Sequence, residues 1–170
     1  MNKYKNLTIF FVSYFSSSSI KKVLKKIDPR IKVLVIDNAK EKGLKKNFSK
    51  FKNVKVIVSK HNTGQTGGIN LGFKNISSKY AIYMDSDIDF KKGIIDKFID
   101  AAKKIDNFVI LAPQHEKSKY INEFFSPRKN NFKEYQLMKI VHGQFLFFQM
   151  KNVKKVGLYD EKIFLYYDET

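Results

Sequence analysis

Asp85, Asp87 and Asp89 stand at alternate positions in the stretch YAIYMDSDIDF, directly after an apolar run. Where a strand ends and the chain turns, carboxylates this close can approach one cation, and their oxygens suit hard divalent ions. Thiolate sites are excluded because the chain has no cysteine, and His61, His115 and His142 are its only histidines. A metal here would be oxygen-ligated, which favours Mg²⁺, Mn²⁺ or Ca²⁺. An EF-hand loop would use the three aspartates as its first, third and fifth positions, with Gly at the sixth and usually Glu at the twelfth, after a helix. Phe90 and Asp96 occupy those two places and the preceding run is strand-like, so that chemistry does not fit. A plainer role also exists: acidic residues ahead of the helical stretch that begins near Lys92 would favour its N-terminus.

These carboxylates need a frame to position them. LTIFFVSY, KVLVID, VKVIVS, YAIYMD and FVILAPQ read as strands, while SSIKKVLKKI, KGLKKNFSKF, GGINLGFKNIS and KGIIDKFIDAAKKI between them read as helices. Such alternation implies an α/β fold, a mostly parallel sheet with helices on its faces joined by right-handed crossovers. Ligands of such sheets bind beyond the carboxyl ends of the strands. The polar residues fall there: Ser13 and Tyr14 end the first strand, Asp37 and Asn38 the second, His61 to Gly68 follow the third, and Asp85 to Asp89 follow the fourth. Four separate loops are thus expected on one edge. Beyond Gln114 the pattern weakens, and HEKSKYINEFFSPRKNNFKEYQ, with Pro127 and many polar residues, reads as a long loop. GQFLFFQM then reads as a further buried strand, followed by a short basic segment.

Of the 170 residues, 43% are hydrophobic and 15% aromatic, enough to bury one sizeable core, so a single domain spanning 1–170 is expected. The net charge of +17 raises nucleic acid or an anionic membrane as a partner. Yet KKVLKK, KKNFSKFK and KNVKK interrupt apolar positions at helical spacing, as solvated helix faces do. Arg30 and Arg128 are the only arginines, whereas bidentate recognition of phosphates or bases favours arginine. Nucleic acid is therefore disfavoured, leaving either a compositional bias with no dedicated partner or attraction toward an anionic surface. No apolar run approaches the roughly 18 residues that would span a bilayer. The start, MNKYKNLTIFFVSYFSSSS, imitates a signal peptide, but it lacks an Ala-x-Ala type cleavage site and its apolar stretch also reads as a buried strand.

Two enzyme chemistries place Asp-x-Asp after an apolar strand. A haloacid dehalogenase-type phosphatase uses the first aspartate as nucleophile and the second as acid/base, but that likeness gives no role to the residues before Asp85. In a nucleotide-sugar glycosyltransferase the pair holds a divalent cation that bridges the donor phosphates and neutralises the departing diphosphate. This second reading also accounts for the other loops, and four segments carry it. VLVIDNA, HNTGQTGGINLGF, YMDSDIDF and VGLYDEKIFLYYDET occur in the order and spacing of the GT-A glycosyltransferases of family 2, which the sequence resembles, particularly the rhamnosyltransferase-like members. The glycine segment is not a dinucleotide fingerprint, since Thr66 stands where one counted from Gly64 requires Gly, and it lacks the Gly-Lys-Ser/Thr end of a Walker A loop.

The resemblance implies roles residue by residue. Asp37 would hydrogen-bond the pyrimidine base of a UDP- or dTDP-sugar, with the Val12, Ser13 and Tyr14 backbone beside it. Asn62, Gly64, Gly67, Gly68 and Asn70 would lie along the donor, and Asp85, Ser86 and Asp87 would handle ribose and metal. Asp87 would be the more direct ligand of Mn²⁺ or Mg²⁺, with Asp85 second and Asp89 outside the first contacts or a helix cap. His142 and Gly143 would fall on the acceptor side, and Asp160 and Glu161 would support the active-site wall. Family chemistry is inverting, with a base usually drawn from a Glu-Asp pair after an aromatic run. Here the order is Asp168 then Glu169; alignment favours Glu169 and side-chain identity Asp168. Neighbours on a helix diverge by about 100°, so only one can face the acceptor. Plainer roles stand beside these: a turn at Asp37, tight helix packing at the glycines, a structural His142, and a helix start at Asp160 and Glu161.

The expected domain is therefore a GT-A domain with a donor half at 1–114 and a partial acceptor half at 115–170, because the pattern stops at Thr170 before the elements that normally complete the acceptor site. Its acceptor would be a surface-glycan or lipid-linked saccharide, and its place the cytoplasm or the inner face of the membrane. A shortened acceptor half is also compatible with a weakly active or inactive nucleotide-binding protein.

Overall fold

The computed structural model describes residues 2–105, 107–113 and 141–164. Among these residues the strands are β1 (Leu7–Ser13), β2 (Lys32–Asp37), β3 (Val54–Val58), β4 (Tyr80–Met84), β5 (Ile110–Leu111) and β6 (Phe145–Gln149). The helices are α1 (Ser17–Leu24), α2 (Leu44–Phe48), α3 (Gly64–Lys74), α4 (Ile94–Lys104) and α5 (Met150–Val156), following β1, β2, β3, β4 and β6 respectively. The sheet order is β3-β2-β1-β4-β6-β5. β1 to β4 run parallel, whereas β6 pairs antiparallel with both β4 and β5.

Both faces of the sheet are covered, which is why the strands read as continuous apolar runs rather than as alternating ones. Period two divides them between two cores. Ile9 and Phe11 of β1 and Val33 and Val35 of β2 pack under Ile20 and Val23 of α1, Leu44 and Phe48 of α2, and Phe98 of α4. Phe10, Leu34 and Ile36 face the other way, toward Ile69 and Phe73 of α3 and Met150 and Val153 of α5. Phe10 and Phe11 are fully buried, each contributing about 2 kcal/mol by area. Phe98 stacks on Phe145 and Phe147, with ring centroids 5.3 and 5.5 Å apart, and so seats α4 across β6.

The first three strands are laid down outward on one side of β1, and the chain then crosses by α3 to place β4 on its other side. This reversal puts a crevice between the carboxyl ends of β1 and β4, the usual ligand position in such sheets. β6 runs antiparallel, so its first residue, Phe145, pairs with the last of β4, Met84, and the loop entering β6 reaches the same edge. Three elements differ from the sequence reading. The strand expected at FVILAPQ narrows to Ile110–Leu111, the helix expected from Gly67 begins at Gly64, and the short basic segment after β6 forms α5. The long loop expected beyond Gln114 lies outside the described residues.

Candidate functional site

The edge is built first by backbone. Ser13, Asp37 and Val58 lie side by side in register, and two further bonds extend the ladder past the strand ends: Asn38 N to Ser13 O at 2.9 Å and Ser59 N to Asp37 O at 2.9 Å. Asp37 is buried, and its Oδ1 accepts from the amides of Ala39 and Glu41 at 3.1 and 3.2 Å. One carboxylate oxygen thus turns the chain, as a short acidic side chain at a strand end commonly does. The crevice between β1 and β4 is bordered by Tyr14 and Phe15, exposed at the end of β1 with ring centroids 5.0 Å apart. Phe15 sits at φ +52°, a conformation costing a side-chain-bearing residue about 1 kcal/mol or more.

Asn38 is the organiser of the next loop, a role the sequence reading did not give it. Buried beside Asp37, its Nδ2 donates to Asn62 Oδ1 at 2.9 Å and to Gly64 O at 2.8 Å, and its Oδ1 accepts from the amide and hydroxyl of Thr63 at 3.1 Å each. Asn62 Oδ1 also accepts from Gly64 N at 3.0 Å, closing the turn that starts α3 early. The available signal was an amide-bearing residue immediately after a carboxylate at the end of a buried strand.

The residues expected along a donor on α3 are packed against protein. Gly64 takes φ +70° and lies so close to Phe164 that a side chain would collide with it. Gly68 lets the helix approach Val12 of β1, and Gly67 lies against Thr63. The amide of Gln65 donates to Phe164 O at 2.9 Å, and the Thr66 hydroxyl to Ile163 O, so the segment at 163–164 caps the start of α3. Asn70, also buried, gives its amide to Tyr159 and Glu161. The Asn70 amide and then Lys74, 3.5 Å away, hold the Glu161 carboxyl below its usual range. Asp160 accepts from the amide of Lys162 at 3.0 Å, so Asp160 and Glu161 form a turn docked on α3, not a helix start.

At the end of β4, the Asp85 amide donates to Gln144 O at 3.0 Å, tying the Asp-x-Asp segment to the loop carrying His142 and Gly143. The Tyr83 hydroxyl donates to Asp85 Oδ1 at 2.8 Å, and Ser86 is half-buried beside it. Asp87 is exposed and makes no hydrogen bond or ion pair with the described residues. Asp89 turns away to Lys26, which lowers its pKa first by hydrogen bonding and then by charge. None of the three caps α4: its N-cap is Gly93 without a side-chain bond, and the acid in its first turn is Asp96. Among the described residues no cluster of three His, Asp or Glu side chains forms a ready-made metal cage. Asp168 and Glu169 lie outside the described residues, but the chain leading to them is the segment anchored on α3.

The family described as glycosyl transferase family 2 matches residues 17–157. The low-salt glycan biosynthesis hexosyltransferase Agl10 of Haloferax volcanii is 22% identical over 183 aligned residues, covering 96% of this chain and 59% of the relative. The mannosyltransferase PcManGT of Pyrobaculum calidifontis, solved with GDP-Man and Mn²⁺, superposes with TM-score 0.69 at 13% identity, over 92% of this chain and 48% of its own. TarS of S. aureus superposes with TM-score 0.70 at 14% identity, over 96% and 53%, and has been solved with UDP and with UDP-GlcNAc. The α/β architecture is therefore the GT-A one, and the chain spans about half the length of these proteins.

Proposed function

Because the chain belongs to glycosyl transferase family 2, we propose that it binds a nucleotide-sugar donor at the carboxyl edge of its sheet and passes the sugar to a saccharide acceptor. The observation that carries this reading is the placement of Asp37 and of Asp85 with Asp87 at the ends of β2 and β4, on either side of β1. The phosphatase alternative uses only the second of these two groups. Asp37 accepts a base N–H from a UDP- or dTDP-sugar through the oxygen not engaged by Ala39 and Glu41, beside the Val12 to Tyr14 backbone. Asp87 and Asp85 would hold Mn²⁺ or Mg²⁺. The residues suit a hard ion: one carboxylate is steadied by Tyr83 and the other is exposed, and both offer oxygen ligands. The cation, when bound, neutralises charge on the departing diphosphate.

The reaction we propose is inverting. A carboxylate from Asp168 or Glu169 takes the proton of the acceptor hydroxyl while that oxygen attacks the anomeric carbon from the face opposite the diphosphate. Positioning supplies a large share of the barrier reduction in such displacements, so the docking of residues 159–164 on α3 bears on catalysis as well as on stability. His142 and Gly143, tied to the end of β4, stand on the acceptor side. A surface-glycan or lipid-linked saccharide suits the acceptor role, in keeping with the glycan-building relative.

Calorimetric titration of UDP, dTDP and GDP, with and without Mn²⁺, tests the reading. Metal-dependent binding that Asp87→Ala weakens at least about tenfold is expected, a loss of one charge-assisted contact. Absence of binding to every nucleotide by the folded protein would overturn it.

A further inference from the structure

The lysines of α1 and α2 form a single basic face that the donor reading does not use. Lys21, Lys22 and Lys25 of the α1 region and Lys46 and Lys50 around α2 line a groove of about 780 Å³ with Phe51 half-buried in it. Lys45 and Lys52 border a second groove of about 310 Å³ on the far side of α2, again shared with Phe51. No acidic residue lines either groove, and none of these lysines makes an ion pair with a described residue. Elsewhere several cations are matched: Lys3 with Asp96, Lys26 with Asp89, Arg30 with Asp28, Lys74 with Glu161, and Lys103 with Asp100.

We infer that this face docks on an anionic lipid bilayer. Charge complementarity is the first argument, since unpaired lysines near an anionic leaflet each contribute attraction. Shape is the second. Ile20, Val23 and Leu24 of α1 and Leu44 and Phe48 of α2 bury their sides against one face of the sheet, so the lysines point outward from one helical layer. A layer of point charges spread over two helices matches a charged plane, whereas a nucleic acid would be met by arginine forks. The inference stands independently of nucleotide binding.

Vesicle sedimentation of the whole chain tests it, using phosphatidylcholine alone and an equimolar mixture with phosphatidylglycerol. Binding to the anionic vesicles only is expected. The triple variant Lys21→Glu, Lys22→Glu, Lys25→Glu should lose at least about a hundredfold, at roughly fivefold per lysine. The pair Lys46→Glu, Lys50→Glu should lose affinity in proportion. The control Lys151→Glu, Lys154→Glu, Lys155→Glu carries the same charge change on exposed residues of α5, across the sheet, and should retain binding. Equal loss in the triple variant and its control would make the attraction a property of total charge and overturn the face. Binding to heparin or RNA through these lysines, with none to vesicles, would overturn the bilayer as partner.

Discussion

Asn70 and Tyr159 hold each other by a reciprocal pair of bonds across 89 residues of sequence: Asn70 Nδ2 donates to Tyr159 O at 2.9 Å, and Tyr159 N donates to Asn70 Oδ1 at 3.0 Å. An amide side chain here replaces a strand neighbour, satisfying both backbone groups of a residue that belongs to no strand. With Thr66 and Gln65 bonded to Ile163 and Phe164, α3 becomes the dock for the segment that leads to the proposed catalytic carboxylates.

Removing that amide should therefore do more than open a small cavity. Asn70→Ala removes both of its hydrogen bonds to the Tyr159 backbone, and a cost of about 2 kcal/mol is expected in urea unfolding. Hydrogen exchange should show the Gln65 amide losing protection. Asn70→Asp keeps an acceptor for Tyr159 but sets a second carboxylate beside Glu161, so Glu161→Gln should recover part of its loss.

Acid should loosen the same dock. The Asn70 hydrogen bond, then Lys74, holds the Glu161 carboxyl below its usual value near 4.5. A depressed carboxyl contributes stability that is present above the unfolded value and lost as pH falls through the folded one. Asp28, lowered to about 2 by its hydrogen bond to Arg30, behaves in the same sense at still lower pH. Thermal unfolding of the wild type and Glu161→Gln should converge as pH is lowered from neutral toward about 3, the wild type losing more. Parallel curves would show that Glu161 contributes no acid-labile stability.

The strands were legible because burial on both faces leaves an unbroken apolar run, as in KVLVID, whose six residues are those of β2. The edge was legible for the same reason, since a polar residue after such a run must lie at a strand end. What sequence could not separate was ligand contact from internal bonding. Asp37 and Asn38 look alike as strand-end polar residues, yet one turns the chain and the other gathers Asn62, Thr63 and Gly64. The glycines of NTGQTGG fit both close ligand approach and close packing, and the positions of Phe164, Thr63 and Val12 show the packing. Asp89 shares the spacing of Asp85 and Asp87, but its partner Lys26 lies 63 residues away.

Gly68 and Val12 offer a direct test of that packing. A methyl group at position 68 would fall 2.6 Å from Val12 Cγ1, inside contact distance. Gly68→Ala should destabilise by about 1–3 kcal/mol, as overpacking does. Val12→Ala removes the obstructing methyls, so the double variant should be less destabilised than the sum of the two, by at least about 0.5 kcal/mol in a thermodynamic cycle. Simple additivity would mean that the helix shifts as a body instead of pressing on Val12.

Asp87 and Asp89 should separate in function although they are two residues apart. Asp87 is exposed without a described partner, while Asp89 is drawn to Lys26 at the far end of α1. Both are surface groups, so either change to Ala should alter stability by no more than about 0.5 kcal/mol. Their effects on calorimetric Mn²⁺-dependent nucleotide binding should differ: Asp87→Ala abolishes the metal dependence, and Asp89→Ala leaves it intact. The Lys26→Ala variant sharpens the comparison, because it frees Asp89 to swing back toward the strand end without touching Asp85 or Asp87. If Asp89 were a cation ligand held in reserve by Lys26, that variant would bind Mn²⁺ more tightly. The proposed site, at the Tyr83-bonded Asp85 and the exposed Asp87, predicts no change.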